Sequence, residues 1–264
     1  MSSETEKPPS SSIEAEAPDP LISPANLQEG WRIFSRTRTD QLNIHSGRIL
    51  TSADKASIFK AALRNDYVAY FPQERCYLNL SGRYDYLERG YYISLDLERA
   101  DKRIHPTCKE ILDAYVTPLL LEKAKLSGLL IPEYYITNGY FEPPVILDTI
   151  NPFMQRSSVI LKAGHRGWLA KSMTRNYTYA VCCQELPDGS QVRHFRSILG
   201  WCSSRRFREL SESIWQLFHI PLAKVRVIVT ENGGVLLSDI SQLPFERLSA
   251  LELSYLRERI IWEE

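Results

Sequence analysis

The chain has 264 residues, of which 44% are hydrophobic and 24% are charged, and it contains 32 Lys and Arg residues against 32 Asp and Glu residues. These are ordinary values for a globular protein, and the balanced charge excludes a general attraction to nucleic acid or to membranes. No stretch resembles a signal peptide or reaches the roughly 18 consecutive apolar residues of a membrane span. Five cysteines without C-x-x-C spacing are typical of reduced thiols, so we expect a cytoplasmic protein.

The first 28 residues are rich in Ser, Pro, Glu and Ala and contain almost no large apolar side chains. Such a segment cannot bury enough surface to offset the entropy lost on ordering, so residues 1–28 are predicted to be a disordered acidic tail. The remainder is predicted to contain a Rossmann-like α/β domain over residues 29–130 and an α+β part over residues 131–264 that packs on it.

The first part alternates strand and helix patterns. The predicted elements are, in chain order, a strand at Trp31–Phe34, a helix at 52–63 capped by Ser52, strands at 67–71 and 76–80, a helix at 84–99, a short strand or loop at 103–106 and a helix at 107–126. This alternation predicts a small, mostly parallel sheet with flanking helices.

The second part begins with a poorly periodic, proline-punctuated stretch, in which no element is predicted before residue 177. Beyond it the predicted elements are a hairpin of 177–183 with 191–196 turned by Pro187-Asp188-Gly189, a helix from Ser203 or Ser204 to Phe218, a hairpin of 225–229 with 235–240, and an amphipathic closing helix from Leu248 to Ile260. The turn residues and the helical spacing of the apolar residues carry these predictions.

The strand-to-helix turn after Leu80 is the candidate binding site. Ligands of α/β sheets bind just past the carboxyl ends of strands, and backbone N–H groups at a helix start favour anions. The candidate ligand-binding residues are Ser81, Arg83, Tyr84, Gly90 and Tyr91. The alternative is that Ser81 is only the helix N-cap and Arg83 is solvated. Glycine inside a helix costs stability, so Gly90 indicates close packing against a neighbour or a ligand.

The same stretch carries a family resemblance. In chain order it contains Asn79-Leu80, Ser81-Gly82-Arg83-Tyr84, Gly90-Tyr91-Tyr92-Ile93-Ser94-Leu95, His105-Pro106 and Ile111-Leu112-Asp113. These motifs resemble the domain that precedes the catalytic half of RimK-like ATP-grasp ligases, and a second block from Leu199-Gly200 to Ser238-Asp239-Ile240 agrees in order. Two motifs depart from the family: its "SRSYRY" turn is Ser-Gly-Arg-Tyr-Asp-Tyr here, and its "AEARG" is Asp96–Ala100.

The resemblance implies an accessory domain, here a stand-alone chain without the ATP-grasp half. The sequence contains no Gly-rich phosphate loop and no Glu-x-Asn pair for Mg²⁺, and Ser238-Asp239-Ile240-Ser241 supplies a single carboxylate. Phosphoryl transfer requires metal ligands and cationic charge on the phosphates. We therefore expect a non-catalytic accessory or recognition subunit that works with an ATP-grasp amino-acid or peptide ligase. The alternatives are an independent small-ligand binder or enzyme that uses the crevice after the strand at 76–80, and a structural subunit of a larger assembly.

A basic run lies between residues 162 and 208, where nine Lys and Arg face two acidic residues. Its candidate patch is formed by Arg193, Arg196, Arg205, Arg206 and Arg208. Because aromatic residues are not interleaved with the arginines, the pattern argues against dedicated nucleic-acid binding and favours a protein partner; an anionic small molecule or the acidic tail are further candidates.

The histidines are widely spaced along the chain, and the sequence therefore predicts no metal site and no cofactor. His105 and Cys108 are close in sequence, which leaves a Cys–His enzyme as a further alternative.

Overall fold

The computed structural model describes residues 50–150, 158–161 and 166–262. The predicted tail and the predicted strand Trp31–Phe34 lie outside the described residues. The helices are α1 (Ser52–Arg64), α2 (Arg89–Arg99), α3 (Cys108–Tyr115), α4 (Thr117–Leu126), α5 (Arg166–Met173), α6 (Arg208–Phe218) and α7 (Ala250–Arg257). The strands are β1 (Val68–Phe71), β2 (Cys76–Asn79), β3 (Ile104–His105), β4 (Tyr134–Thr137), β5 (Val145–Thr149), β6 (Ser158–Leu161), β7 (Val181–Glu185), β8 (Gln191–Ile198), β9 (Leu222–Val229) and β10 (Val235–Gln242).

The strands form three small sheets. The N-terminal sheet has the order β1-β2-β3, the middle sheet β4-β7-β5-β6 and the C-terminal sheet β10-β9-β8. Among the described strands, β2 and β3 form the one parallel pair, and the other pairs are antiparallel.

The expectation of a mostly parallel, Rossmann-like sheet is therefore wrong, while the mixed α/β character is confirmed. The reason lies in the connections. Only four residues, Pro72–Arg75, join β1 to β2, and a link this short can join antiparallel neighbours but not parallel ones. The predicted hairpin around Pro187–Gly189 is also wrong, because β7 pairs with β4 and β5 whereas β8 pairs with β9. The predicted β9–β10 hairpin is confirmed.

The helices follow the sequence patterns with shifted ends. α1 is capped by Thr51 through a capping box with Asp54. The predicted helix at 84–99 begins only at Arg89, after a loop. The predicted helix at 107–126 is two helices, because Val116 between α3 and α4 has an extended backbone (φ −94°, ψ 102°). Pro118 then lies in the first turn of α4, where a missing N–H is tolerated.

Residues from both predicted parts share the hydrophobic core. One cluster joins residues of β1 and β2 to Trp215, Phe245 and the closing helix α7. A second joins α3 and α4 to the C-terminal sheet, and a third lies between the middle sheet and α5. By its contacts, Gly47–Glu264 forms one compact unit. A boundary near residue 130 stays a prediction. Among the described residues, no helix has the length and apolar character needed to cross a membrane.

Candidate functional site

Asn79, at the end of β2, organises the turn that the sequence selects as the candidate site. The side chain is fully buried. Its Nδ2 donates to the Gly90 carbonyl oxygen (2.6 Å) and to Ser94 Oγ (3.0 Å), and its Oδ1 accepts from the Ser81 N–H (3.1 Å). One amide therefore fixes the strand end, the turn and the start of α2 relative to one another.

Two glycines allow the loop between β2 and α2 to pack closely. A Cβ on Gly90 would lie 1.9 Å from the Arg83 carbonyl oxygen, and a Cβ on Gly82 would lie 1.9 Å from the Leu243 carbonyl oxygen. Gly82 also has a φ of +66°, which side-chain-bearing residues rarely adopt. The close packing expected at Gly90 is thus present, and the neighbour is the protein's own backbone.

The structure places three of the five candidate ligand-binding residues inside this loop scaffold. Tyr84 is fully buried, its hydroxyl donates to the Asn79 carbonyl oxygen (2.6 Å), and burial raises the pKa of its phenol. Ser81 is buried beside Arg83 and Gly90. Because α2 begins at Arg89 with Glu88 as its N-cap, Ser81 is not the helix cap.

The other two candidate residues, Arg83 and Tyr91, are not buried. Arg83 is exposed, and Tyr91 is half-buried within a cluster of three tyrosines, Tyr86, Tyr91 and Tyr92. Its ring centroid lies 5.5 Å from that of Tyr86 and 5.7 Å from that of Tyr92. Tyr86 and Tyr92 are each 43% exposed. Tyrosine and arginine are enriched in the energetic centres of binding interfaces. We call Arg83 with this cluster the tyrosine surface.

The five arginines of the predicted basic patch are all exposed. Two of them, Arg193 and Arg196, lie on β8. Arg193 and Arg196 are three positions apart on this strand, so their side chains leave opposite faces. Arg196 donates to Glu252 Oε2 (3.0 Å), whereas Arg193 donates to Gln191 Oε1 (2.6 Å). Arg206 donates to the Gly233 carbonyl oxygen (3.1 Å). Lys162, in the same basic run, lies outside the described residues. Binding by the patch stays a prediction.

A buried ion pair joins the middle and C-terminal sheets, and sequence reasoning missed it. Asp148 on β5 is 1% exposed and Arg226 on β9 is 5% exposed. The guanidinium contacts both carboxylate oxygens, with Nη1–Oδ1 and Nη2–Oδ2 distances of 3.0 and 2.6 Å. The sequence signal for this pair was a charged residue inside an otherwise apolar strand, Asp148 in β5 and Arg226 in β9. Charged residues are rarely buried unless they are paired, so each of the two predicts an oppositely charged partner.

Neighbouring polar groups complete this network. Gln184 Nε2 donates to Asp148 Oδ2 (2.7 Å), and Arg226 Nε donates to Ser238 Oγ (2.9 Å). A break in strand register at Ser238 places both Ser238 and Asp239 in the interior. Burial alone would lower the pKa of Arg226, but Asp239 and Asp148 outweigh burial and raise it. Asp239, the single carboxylate of the Ser238–Ser241 segment, is therefore joined by a second carboxylate, Asp148. The Arg226 guanidinium interacts with both carboxylates.

A second cluster brings together two histidines that are far apart in the sequence. His105 at the end of β3 and His219 at the C-terminus of α6 stack with a centroid distance of 4.4 Å. His105 Nδ1 lies 2.9 Å from Glu110 Oε2, and His219 Nδ1 lies 2.9 Å from Glu110 Oε1. Burial would raise the pKa of Glu110, but hydrogen bonds from both histidines and from the Thr107 backbone lower it to about 2. Glu74 and Cys76 lie next to His105, so the structure assembles metal-ligating residue types that the sequence scatters.

The cysteines have weakly acidic thiols. Burial, with a contribution from Glu98, raises the pKa of Cys108 to about 11, and burial raises the pKa of Cys76 to about 11. Because the thiolate is the nucleophile, such thiols are poorly reactive. The side chain of Cys108 interacts with Glu98 and Tyr91. This environment gives no support to the Cys–His enzyme alternative.

Two cavities lie along the middle sheet. One has a volume of about 320 Å³ and is lined by Lys125, Ile131, Pro132, Glu133, Tyr134 and Ile136. The other has a volume of about 460 Å³ and is lined by Tyr135, Tyr140, Glu142, Pro143, Pro144, Glu185 and Leu186. Neither includes Ser81, Arg83, Tyr84, Gly90 or Tyr91.

Comparison with solved structures finds several ATP-grasp ligases with low identity. The ligase PsnB in complex with a precursor peptide and AMPPNP is 15% identical, with a TM-score of 0.44 over 79% of this chain and 73% of that one. The RimK domain ATP-grasp protein from Sphaerobacter thermophilus is 14% identical, with a TM-score of 0.43 over 63% and 71% of the two chains. The D-alanine-D-alanine ligase from Coxiella burnetii is 11% identical, with a TM-score of 0.45 over 71% and 62%.

No curated protein matches the sequence. The family model described as the RimK-like ATP-grasp N-terminal domain matches residues 65–259. That range includes both motif blocks that carry the sequence resemblance. On this match, the chain belongs to the RimK-like ATP-grasp N-terminal domain family.

Proposed function

We propose that this chain is a non-catalytic recognition part of an ATP-grasp system that ligates amino acids or peptides. The observation that carries the proposal is the family match over residues 65–259. A domain that accompanies a ligase can position the substrate or the partner while the ATP-grasp half performs phosphoryl transfer.

The chemistry of the buried carboxylates supports a non-catalytic role. Asp148 is held by two hydrogen bonds from Arg226, and Asp239 acts electrostatically on the same guanidinium. Carboxylates that hold Mg²⁺ must offer their oxygens to the ion and to the phosphates bound with it. Here the guanidinium already occupies the carboxylate oxygens of Asp148, so these groups act in holding two sheets together.

We further propose that the tyrosine surface is the recognition surface. Its exposed side chains stand on a loop that Asn79, Gly82 and Gly90 fix rigidly, so little entropy is lost when a partner binds. Exposed aromatic rings and an exposed arginine in one short segment suit a peptide partner, because the rings supply apolar area and the guanidinium can pair with a carboxylate.

The test starts with the tagged full chain, purified from its source cells and identified with its partners by mass spectrometry. We expect an ATP-grasp ligase to be enriched with the chain. The ligase is then assayed for ADP release with amino acids and peptides, with and without the chain. We expect the chain to raise kcat/KM for the substrate, and we expect the chain alone to release no ADP. Turnover by the chain alone, or ligase rates that are the same with and without it, would refute the proposal.

Variants locate the surface. Replacing Tyr86 and Tyr92 by alanine should lower the stimulation of the ligase by roughly 30-fold, which corresponds to about 2 kcal/mol for a central interface aromatic. Tyr140→Ala is the matched control, because Tyr140 is 66% exposed and lies at the middle sheet. Equal stimulation by the double variant and the control would leave the ligase association intact but would refute this surface.

A further inference from the structure

Three side chains with different ligand atoms meet beside the N-terminal sheet. Glu74 lies in the turn between β1 and β2, Cys76 begins β2, and His105 ends β3. A Glu74 carboxylate oxygen, the Cys76 sulfur and one ring nitrogen of His105 all lie within 4.8 Å of one another. The sheet register explains the meeting. His105 is paired with Leu78, and Cys76, two residues before Leu78, points to the same face.

The orientation of the His105 ring is fixed from the opposite side. Its Nδ1 lies 2.9 Å from Glu110 Oε2, and the same oxygen accepts from the Thr107 N–H at 2.7 Å in the capping box of α3. A carboxylate at Nδ1 holds the ring proton there and leaves a lone pair on Nε2. Since Nδ1 is engaged by Glu110, Nε2 is the nitrogen available to Cys76 and Glu74.

That lone pair is buried without a hydrogen bond. His105 is 8% exposed, and Nε2 has no hydrogen-bond partner among the described residues. A buried acceptor left without a donor destabilises the fold unless a ligand satisfies it. Nε2 faces the Cys76 thiol and the Glu74 carboxylate, and the Glu110 carboxylate holds the ring from the other side. This is the arrangement of a metal-binding histidine. Such histidines almost always donate their other ring N–H to a carboxylate or carbonyl group.

We propose that Glu74, Cys76 and His105 bind a divalent transition-metal cation of the zinc class, with Glu110 as the positioning residue for the His105 ring. Nitrogen, thiolate and carboxylate ligands together suit zinc, and three protein ligands leave a fourth position for water. Binding converts the Cys76 thiol to a thiolate, and its proton is released to solvent. The inference does not depend on the proposed function.

The surroundings fit this assignment. The Trp215 N–H donates to Glu74 Oε1 (3.0 Å), which orients the carboxylate and leaves Oε2 for the metal. Metal–ligand distances of about 2.0–2.3 Å place tetrahedral ligands about 3.3–3.8 Å apart. The three ligand atoms, all within 4.8 Å of one another, therefore need to approach one another by at most about 1.5 Å. Glu74 is partly exposed, which provides a route of entry.

A second group of metal-ligating residue types lies in this region and consists of His105, Glu110 and His219. This group holds the His105 ring in place and is not the proposed metal site. Both of its histidines use Nδ1 to contact Glu110, at 2.9 Å each. Those atoms already have partners, whereas Nε2 of His105 does not. The cation is therefore assigned to the Cys76 side of the ring.

The experiment titrates the chelator-treated full chain with Co²⁺ and then with Zn²⁺. We expect one equivalent of Co²⁺ to produce thiolate-to-cobalt absorption that Zn²⁺ abolishes, together with a zinc-dependent rise in Tm. Cys76→Ser and His105→Gln should lose the absorption, and Glu110→Gln, which preserves the capping box, should weaken affinity about 10–100-fold. Cys202→Ser is the matched control, because Cys202 is another buried thiol, also 1% exposed.

A second measurement needs no variant. Zn²⁺ should slow the alkylation of Cys76 in the wild-type chain, measured by mass spectrometry, by a larger factor than it slows the alkylation of Cys202. Absence of cobalt–thiolate absorption from the folded wild-type chain, absorption that survives both Cys76→Ser and His105→Gln, or equal alkylation of Cys76 with and without Zn²⁺ would each overturn the proposal.

Discussion

Replacing Arg226 by methionine tests whether the buried ion pair between the two sheets is organised as described. Methionine keeps much of the apolar stem but removes the guanidinium. The Asp148 carboxylate, 1% exposed, would then retain the Gln184 amide as its hydrogen-bond donor among the contacts described above. Asp239 would lose the compensating charge as well. We therefore expect Arg226→Met to lower the free energy of unfolding of the whole fold.

The magnitude follows from the burial of both partners. Removing one member of a buried ion pair costs about 3–5 kcal/mol, because the other charge is left uncompensated. Typical folded proteins are stable by about 5–15 kcal/mol, so the loss is a large fraction of the total. At about 2–4 °C per kcal/mol for a chain near this size, the expected fall in Tm is about 6–20 °C.

The assay is urea unfolding followed by circular dichroism and by tryptophan fluorescence, under reducing conditions. Arg193→Met is the matched control, because Arg193 is an exposed arginine on the neighbouring strand β8, and it should change stability by less than about 0.5 kcal/mol. Asp148→Asn removes the other charge. In the double variant Asp148→Asn/Arg226→Met, the losses should be less than additive by at least about 1 kcal/mol. An Arg226→Met loss as small as that of the control, or strictly additive losses, would refute the reasoning.

Gly90→Ala should lower the free energy of unfolding by about 1–3 kcal/mol or more, because the new Cβ would lie 1.9 Å from the Arg83 carbonyl oxygen. Gly139→Ala is the control and should be near neutral, because no atom lies within 4 Å of a Cβ at that position. Equal unfolding midpoints for the two variants would contradict the packing described. The thiol of Cys108, with a pKa of about 11, should react with an alkylating reagent near neutral pH roughly 100-fold more slowly in the native than in the unfolded chain; a fast native reaction, read by peptide mass spectrometry, would be inconsistent with that environment. Ser249→Ala removes the capping box of α7 and should lower stability by about 1 kcal/mol, and an unchanged urea midpoint would speak against a role for this cap.

The sequence by itself determined the local structure, because local structure depends on neighbours along the chain. Turn residues and periodic apolar residues marked the β9–β10 hairpin, α6 and α7, and the short motifs around Asn79 and Gly90 pointed to the family. The stretch from residue 130 was missed, since β5 is buried at every position and has no alternation to recognise. Proline punctuation hid its strand boundaries.

Only the tertiary structure decided which strands pair and which distant side chains meet. The links between β1 and β2 and between β9 and β10 are too short for parallel pairing, and β7 and β8, although close in the chain, belong to different sheets. His105 and His219, and likewise Asp148 and Arg226, meet through contacts between segments far apart in sequence. Such contacts form when several elements bury their apolar faces together. The spacing of residues along the chain does not reveal which elements will do so.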